Sequence, residues 1–249
     1  NKRRMKGQQK PSDLFFDLDR TLWDFDLNSR EALHAIFEEL AAPILPASLT
    51  AAHFIEVYEI ENEKCWRAYR AGELTQSELR PLRFQRTMEG LGIPAFKEME
   101  ALADSMGEAY VKRAPYCTRL IPDAIEVVRT LKERGHRMFI LTNGFDEVQH
   151  IKMKNSGLDP FFEIVFTSDA IGHKKPHPEA FSHCLKQTGS IPSHAVMIGD
   201  DLECDVIGAL KSGWRQVHFN PRGEQHREQI WRTVKHLKDV LDLPLYNPS

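Results

Sequence analysis

Leu14-Phe15-Phe16-Asp17-Leu18-Asp19-Arg20-Thr21 is the most informative segment of this chain for predicting its fold. Its three leading apolar residues predict a short buried strand, and two carboxylates follow at the carboxyl end of that strand. Residues two apart in extended backbone point the same way, so Asp17 and Asp19 would face one small volume. Like charges about 4 Å apart repel by roughly 4 kcal/mol at an effective dielectric near 20, and a bound cation or a raised pKa relieves that repulsion. An ionised carboxylate can attack an electrophile while its partner carries a proton.

An alternation of short apolar runs with helical patterns fills the chain beyond residue 115. This alternation is typical of a parallel sheet with crossover helices, to which the first strand at Leu14–Phe16 also belongs. We predict helices over residues 122–134 and 205–212, the second closed by Gly213. The further predicted strands are Met138–Leu141, Ile164–Thr167, Ala195–Ile198 and Gln216–Phe219.

Residues 24–115 carry little strand signal and several helical patterns, and they interrupt the alternation after its first strand. Asn28 and Glu31 resemble a capping box for a first helix. Further helices are predicted over residues 52–70 and 96–113, and Thr75 with Glu78 could cap another, in which Pro81 either lies in the first turn or kinks the helix. The predicted organisation is a flexible tail at 1–12, a core domain at 13–23 and 116–249, and an inserted helical domain at 24–115.

Composition indicates an ordinary globular protein of 249 residues, 41% of them hydrophobic. Its 33 basic and 36 acidic residues give a net charge of −3, which provides no field to attract a nucleic acid polymer or an anionic membrane. No apolar run reaches the length of a membrane span, and the N-terminus lacks a secretory apolar segment, so we expect a cytoplasmic protein. Scattered cysteines without a Cys-x-x-Cys pair predict reduced, mostly buried thiols: Cys65, Cys117, Cys184 and Cys204.

Polar residues follow the predicted strands at their carboxyl ends, where open parallel sheets bind ligands. The second strand ends in Thr142-Asn143-Gly144, the fourth in Gly199-Asp200-Asp201 with Asp205 beyond, and Lys175 follows the third. Each could be a plain turn, a solvated loop or a helix start. Together they supply carboxylates for a divalent cation, a hydroxyl donor and a fixed positive charge, which are the components for binding and cleaving a phosphoryl group.

These motifs, in this order, resemble those of haloacid dehalogenase (HAD) superfamily hydrolases, over residues 13 to about 221. The resemblance implies an α/β, Rossmann-like parallel sheet core with helices on both faces and an inserted α-helical cap domain. Within the superfamily, Trp23-Asp24-Phe25, Thr142-Asn143-Gly144-Phe145, Lys175-Pro176-His177-Pro178 and Phe219-Asn220 are most similar to bacterial nucleoside 5′-monophosphatases.

The resemblance also implies a mechanism and its residues. Asp17 would form an aspartyl-phosphate, and Asp19 would protonate the leaving oxygen and then activate water. Mg²⁺ would be held by Asp17, the Asp19 carbonyl oxygen and Asp200. Thr142, Asn143 and Lys175 would bind the substrate, a small phosphomonoester such as a nucleoside 5′-monophosphate. Asp205 would orient Lys175 or metal-bound water, and Asp201 stands where relatives often have Ser.

Several alternatives stay open from the residues. Asp19 and Asp200 favour phosphate esters over the carbon–halogen bonds cleaved by dehalogenases of the same superfamily, whereas a phosphosugar mutase would share this core. A receiver-like signalling module would present its acidic pair, phosphorylated Asp and Lys in another order, and a non-catalytic phosphate-binding relative is disfavoured by the two aspartates of the first motif. In the insertion, Arg80 and Arg83 could reach substrate, and Trp66 or Tyr69 could stack on a base. Solvated arginines and core aromatics are the favoured expectation for these four residues.

Overall fold

The computed structural model describes residues 10–247. The chain divides into two compact units, which we call the core unit (residues up to Phe25 and from Thr118 onward) and the inserted unit (Asp26–Cys117). The strands are β1 Asp13–Phe16, β2 Met138–Thr142, β3 Ile164–Thr167, β4 Ala195–Gly199, β5 Arg215–Phe219 and β6 Arg232–Val234. The helices are α1 Phe25–Ile36, α2 Ala51–Arg70, α3 Gln76–Gly90, α4 Met99–Arg113, α5 Ala124–Glu133, α6 Asp146–Asn155, α7 Ser168–Ile171, α8 Pro178–Thr188 and α9 Gly208–Lys211.

The core unit is built on one six-stranded sheet in the order β3-β2-β1-β4-β5-β6, with every neighbouring pair parallel. All five predicted strands are present within one residue of their predicted ends, which confirms the α/β fold class. β6 is an addition that the sequence did not indicate, because Arg232-Thr233-Val234 carries no apolar run.

β1 lies between β2 and β4, with Phe15 opposite both Phe139 and Met197. Phe15 packs at one face of the sheet with residues of α8 and α9, including Phe181 and Ala209. Its neighbours Leu14 and Phe16 are fully buried and point to the opposite face, since side chains alternate along a strand. Both faces of the central strand are therefore covered, and its carboxyl end lies where the strand order reverses, the usual ligand position in such sheets.

The inserted unit is helical, with a core of aromatic and aliphatic side chains that includes Phe37, Phe54, Phe84 and Met106. The predicted Thr75 cap is confirmed: Glu78 N–H donates to the Thr75 hydroxyl, and Thr75 N–H donates back to the Glu78 carboxylate. α3 begins at Gln76 and continues through Pro81, so Pro81 lies inside the helix and not in its first turn.

The sequence-based expectations for the insertion concerned the start of its first helix, its arginines and two of its aromatic residues. α1 begins at Phe25, so Asn28 is a buried residue inside the helix and does not cap it. Arg83 is only 3% exposed, because its guanidinium lies 4.5 Å from the Tyr110 ring centroid and donates to the Arg80 carbonyl, and it is therefore not a solvated arginine. Tyr69 is buried, as expected of a core aromatic, whereas Trp66, which packs edge-on against it, is only half-buried.

The N-terminal tail and the cysteines were also predicted from the sequence. Residues 1–9 of the expected flexible tail lie outside the described residues, but the expectation is wrong for 10–12, since Pro11 pairs with Tyr246 and Ser12 N–H donates to the Leu245 carbonyl. All four cysteines are free thiols, and three are buried. Between residues 10 and 247, no helix has the length and apolarity needed to cross a membrane.

Candidate active site

The ammonium of Lys175 joins two buried carboxylates behind the end of β1. Its Nζ lies 2.7 Å from Oδ1 of Asp17 and 2.5 Å from Oδ1 of Asp205, and it also donates to the Leu141 carbonyl at 2.7 Å. Lys175 and Asp205 are almost completely buried. The ammonium is therefore fully hydrogen-bonded, and it fixes the position of the Asp17 carboxylate.

Asn143 places Lys175. Its Oδ1 accepts the Lys175 N–H at 2.8 Å, and its Nδ2 donates to the Lys175 carbonyl at 2.9 Å. Both ends of the Asn143 amide are thus engaged with the backbone of the lysine loop. That Asn143 also contacts substrate stays a prediction.

Asp200 is held at the end of β4 by Thr21, a residue of the turn after β1. The Thr21 hydroxyl donates to Oδ1 of Asp200 at 3.2 Å and accepts the Asp200 N–H at 3.1 Å. His218 Nε2 lies 3.1 Å from the Asp200 carbonyl oxygen, which anchors the backbone from β5. This anchoring leaves the second oxygen of the Asp200 carboxylate available for a ligand.

Asp201 and Asp205 have structural tasks in the same loop. Oδ1 of Asp201 accepts the N–H groups of Glu203 and Cys204, as a helix cap does. Asp205 uses its second oxygen to accept the Asp201 N–H. Gly199 makes this approach possible, because a Cβ at that position would overlap the Asp205 carboxylate.

A divalent cation fits this constellation. Carboxylate oxygens of Asp17, Asp200 and Asp205 all lie within 4.8 Å of one another. Hard oxygen donors of this kind suit Mg²⁺. Both oxygens of Asp205 accept hydrogen bonds and its side chain is fully buried, so Asp17 and Asp200 are better placed to hold the ion.

Burial and mutual repulsion dominate the electrostatics. Burial raises the pKa of Asp17, against the opposing charge of Lys175, and burial likewise raises the pKa of Asp205 well above its ordinary value. Burial and then the charge of Asp17 raise the pKa of Asp200 to about 7. Burial opposes the charge of Lys175, but the carboxylates of Asp17 and Asp205 outweigh it and raise the pKa of that ammonium. Excess negative charge of this kind is what a divalent cation relieves.

The Asp19 carboxylate is held by side chains of α6. Lys152 Nζ lies 2.6 Å from its Oδ1, and Gln149 Nε2 donates to its Oδ2 at 3.0 Å. Gln149 also donates to the Thr142 hydroxyl at 2.8 Å, and Gly144 N–H donates to the same oxygen at 3.1 Å. The first and second motifs are thus linked through one amide.

Sequence reasoning did not identify Gln149, Lys152 or Thr21 as site residues. Gln149 and Lys152 are three residues apart on α6, a spacing that puts side chains on one helix face. That spacing was readable from the sequence, but the strand end that they face was not. The six predicted residues lie in two groups. Contacts of Lys175 and the proximity of two carboxylates link Asp17, Asn143, Lys175 and Asp200, whereas Gln149 links Asp19 to Thr142. The charge of Asp19 acts on Asp17, which connects the two groups electrostatically.

Known proteins are similar to this chain in sequence and in fold. The family model of haloacid dehalogenase-like hydrolases matches residues 14–213, and the chain belongs to that family of hydrolases. It is 30% identical over 217 residues to pyrimidine 5′-nucleotidase YjjG of Escherichia coli (strain K12), covering 87% of this chain and 88% of that protein. It is 32% identical over 212 residues to ribulose-1,5-bisphosphate 5-phosphatase of Halopiger xanaduensis, covering 85% of each.

A solved structure gives the same result for the fold. The putative HAD-hydrolase YfnB from Bacillus subtilis, in a crystal form bound to magnesium, superposes with a TM-score of 0.80 at 26% identity. The match covers 94% of this chain and 98% of that one. The parallel sheet is therefore the fold of a hydrolase of this family.

Proposed function

We propose that this hydrolase is a Mg²⁺-dependent phosphatase that cleaves small phosphomonoesters through an aspartyl-phosphate on Asp17. The observation that carries the proposal is the 2.7 Å contact between the Asp17 carboxylate and the Lys175 ammonium, beside a second carboxylate at Asp19. An aspartate oxygen aimed by a fixed cation can attack phosphorus without a separate base. Lys175 also offsets the negative charge of an incoming phosphoryl group.

The Thr142 hydroxyl supports phosphoryl binding. Its oxygen accepts two hydrogen bonds, from Gly144 N–H and from Gln149 Nε2. A hydroxyl that accepts twice keeps its own hydrogen to donate. We infer that this hydrogen is offered to a phosphoryl oxygen, at the strand end next to Asp17.

The chemistry divides between the two aspartates. As an Asp17 oxygen bonds to phosphorus, the ester oxygen leaves and takes a proton from Asp19. Water then attacks the phosphorus, gives a proton back to Asp19, and the bond between phosphorus and Asp17 breaks to release phosphate. Mg²⁺ held by Asp17 and Asp200, and by the predicted Asp19 carbonyl, would neutralise charge between the carboxylate and the phosphoryl group.

A proton donor next to the nucleophile favours ester cleavage over dehalogenation. Halide leaves without needing a proton, whereas an alkoxide does need one. Asp19 is therefore needed as a proton donor only if the leaving atom is oxygen, as it is in ester cleavage. The nucleotidase of Escherichia coli and the phosphatase of Halopiger xanaduensis act, by their names, on a pyrimidine nucleotide and on a sugar bisphosphate. We infer a small phosphorylated metabolite, with a nucleoside 5′-monophosphate as the first candidate.

The test is phosphate release from a panel of nucleoside 5′-monophosphates, sugar phosphates and phosphoglycolate, with Mg²⁺ and with chelator. We expect Mg²⁺-dependent multiple turnover that Asp17→Asn abolishes. Asp104→Asn, which changes an exposed aspartate of α4, is the matched control and should retain the parent rate. Full activity in Asp17→Asn, or the absence of phosphate release from every ester, would contradict the proposal. A mutase would instead convert a sugar phosphate into its isomer without net phosphate release.

A further inference from the structure

Two side chains of α6 hold both oxygens of the Asp19 carboxylate. Lys152 Nζ lies 2.6 Å from Oδ1, and Gln149 Nε2 lies 3.0 Å from Oδ2. A carboxylate held at both oxygens cannot rotate freely about its terminal bond. Each oxygen still has a second lone pair, so the group can exchange a proton with a ligand while it is held.

Lys152 is itself fixed. Its side chain is 6% exposed, and Nζ lies 4.2 Å from the centroid of the Trp23 ring and 5.8 Å from that of Phe25. A buried ammonium costs free energy unless a carboxylate pairs with it, and Asp19 provides that pairing. The aromatic rings add a further attraction for the cation. Lys152 is thus fixed between the Trp23 ring and the Asp19 carboxylate.

Gln149 is also fixed in position by its contacts. It is fully buried, and Nε2 is shared between Asp19 and the Thr142 hydroxyl. Gly144 leaves the space that this amide occupies, because a Cβ on residue 144 would overlap the Gln149 side chain. One amide therefore links the proposed proton carrier to the proposed phosphoryl ligand.

We propose that Lys152, assisted by Gln149, is a positioning residue that aims the Asp19 carboxylate at the leaving oxygen and then at the attacking water. The inference rests on the proposed phosphatase function. Asp19 gives its proton to the ester oxygen as that oxygen leaves phosphorus, and it recovers a proton from the water that releases phosphate from Asp17. Both transfers need the carboxylate at one place, and small misplacements at a reacting centre are costly.

Leaving-group dependence separates aiming of the acid from general support of the fold. A nucleoside alkoxide is a poor leaving group that needs a proton, whereas p-nitrophenolate leaves readily without one. A mispositioned Asp19 should therefore slow cleavage of a nucleoside 5′-monophosphate far more than cleavage of p-nitrophenyl phosphate. A loss of overall structure would slow both to the same extent.

The experiment compares kcat/KM for these two esters in the parent protein and in Lys152→Met, Lys152→Arg and Lys154→Met. In Lys152→Met we expect kcat/KM for the nucleotide to fall by about 10- to 100-fold, since general acid catalysis contributes roughly 100-fold or more. The fall in kcat/KM for the aryl ester should be several-fold smaller. Lys152→Arg should recover part of the loss. Lys154 is an exposed lysine of the same helix, so Lys154→Met should match the parent.

Equal losses on the two esters in Lys152→Met, or no loss on either, would overturn the inference. Asp19 is about a quarter exposed, so its carboxylate can be solvated when Lys152 is removed and we expect the variant to fold. If Lys152→Met does not fold, Gln149→Ala is the second test, and we expect the same selective loss of kcat/KM on the nucleotide. The outcomes also separate the two proposals: a parent with normal phosphatase activity and equal losses contradicts this inference alone, whereas an inactive parent contradicts the proposed function.

Discussion

Nζ of Lys175 lies 2.7 Å from Oδ1 of Asp17, although the two residues are 158 positions apart in the sequence. The contact joins the end of β1 to the loop before α8, and Asp205 accepts from the same ammonium on its other side. One buried cation thus serves two buried carboxylates. Asp200 is not among the hydrogen-bond partners of this lysine, and its position close to Asp17 and Asp205 fits a divalent cation.

Removing the ammonium should destabilise the protein. Lys175→Met would leave Asp17 and Asp205 buried without their counter-charge, and breaking a buried pair in this way typically costs about 3–5 kcal/mol. We expect the free energy of unfolding in urea to fall by that order. Lys154→Met, at an exposed site, should change it by no more than about 0.5 kcal/mol. An unchanged stability in Lys175→Met would refute the stabilising role of this ammonium.

The metal requirement should depend on Asp200 and not on its neighbour. Asp200→Asn removes a charged ligand, and we expect the Mg²⁺ concentration for half-maximal phosphate release to rise at least about tenfold. Asp201→Asn is the matched control, because an asparagine oxygen can still accept the Glu203 and Cys204 N–H groups. The same Mg²⁺ dependence in both variants would show that Asp200 is not a ligand.

The contribution of Asp200 to stability in chelator should fall as pH rises. The pKa of Asp200 is raised to about 7 by burial and the charge of Asp17, whereas an unfolded aspartate titrates near about 3.9. The folded state therefore binds the proton more tightly, so this contribution to stability is complete below about pH 4 and is lost as pH rises through about 7.

Thermal unfolding measures this dependence. With chelator present, we expect the Tm of the parent protein to fall relative to that of Asp200→Asn between pH 6 and pH 8, and we expect Mg²⁺ to restore more of the parent's Tm at pH 8 than at pH 6. The comparison with the variant is needed because burial lowers the pKa of His136 and of His218, which favours the folded state as pH rises in both proteins. The same pH dependence of the Tm in both proteins would be incompatible with the raised pKa of Asp200.

Gly144 should be required for the space that Gln149 occupies. Gly144→Ala would displace the amide from Asp19 and Thr142, and we expect about a tenfold loss in kcat/KM with the fold retained. Gln149→Ala removes the obstacle, so the double variant should lose little more than Gln149→Ala alone. Fully additive losses in this double-mutant cycle would mean that the two residues act independently.

The sequence predicted most of the fold because the signals were local. Apolar runs such as Met138–Leu141 ended in polar turns, and the Thr75 cap lay three residues from its partner. The start of α1 was missed because Asn28 has the residue type of a cap, yet it is buried inside the helix. β6 was missed because its few residues gain their place by pairing with β5 and not from an apolar pattern.

The site was predictable where its residues follow strands directly. Asp17, Thr142 and Asp200 come at strand ends, so topology alone brings them to one edge of the sheet. Lys152 and Gln149 lie inside α6, and only the packing of that helix shows that they meet Asp19. The double hydrogen bond of Asn143 to the Lys175 backbone likewise depends on how two loops approach each other.

Trapping of the enzyme-bound phosphoryl group shows which carboxylate is the nucleophile. Turnover with a reactive phosphomonoester and Mg²⁺ is quenched with borohydride, which reduces an acyl phosphate to an alcohol, and the site is located by peptide mass spectrometry. We predict reduction at Asp17 in the parent protein and none in the same preparation without substrate. Reduction at another carboxylate, or none at Asp17 while phosphate is being released, would contradict Asp17 as the nucleophile.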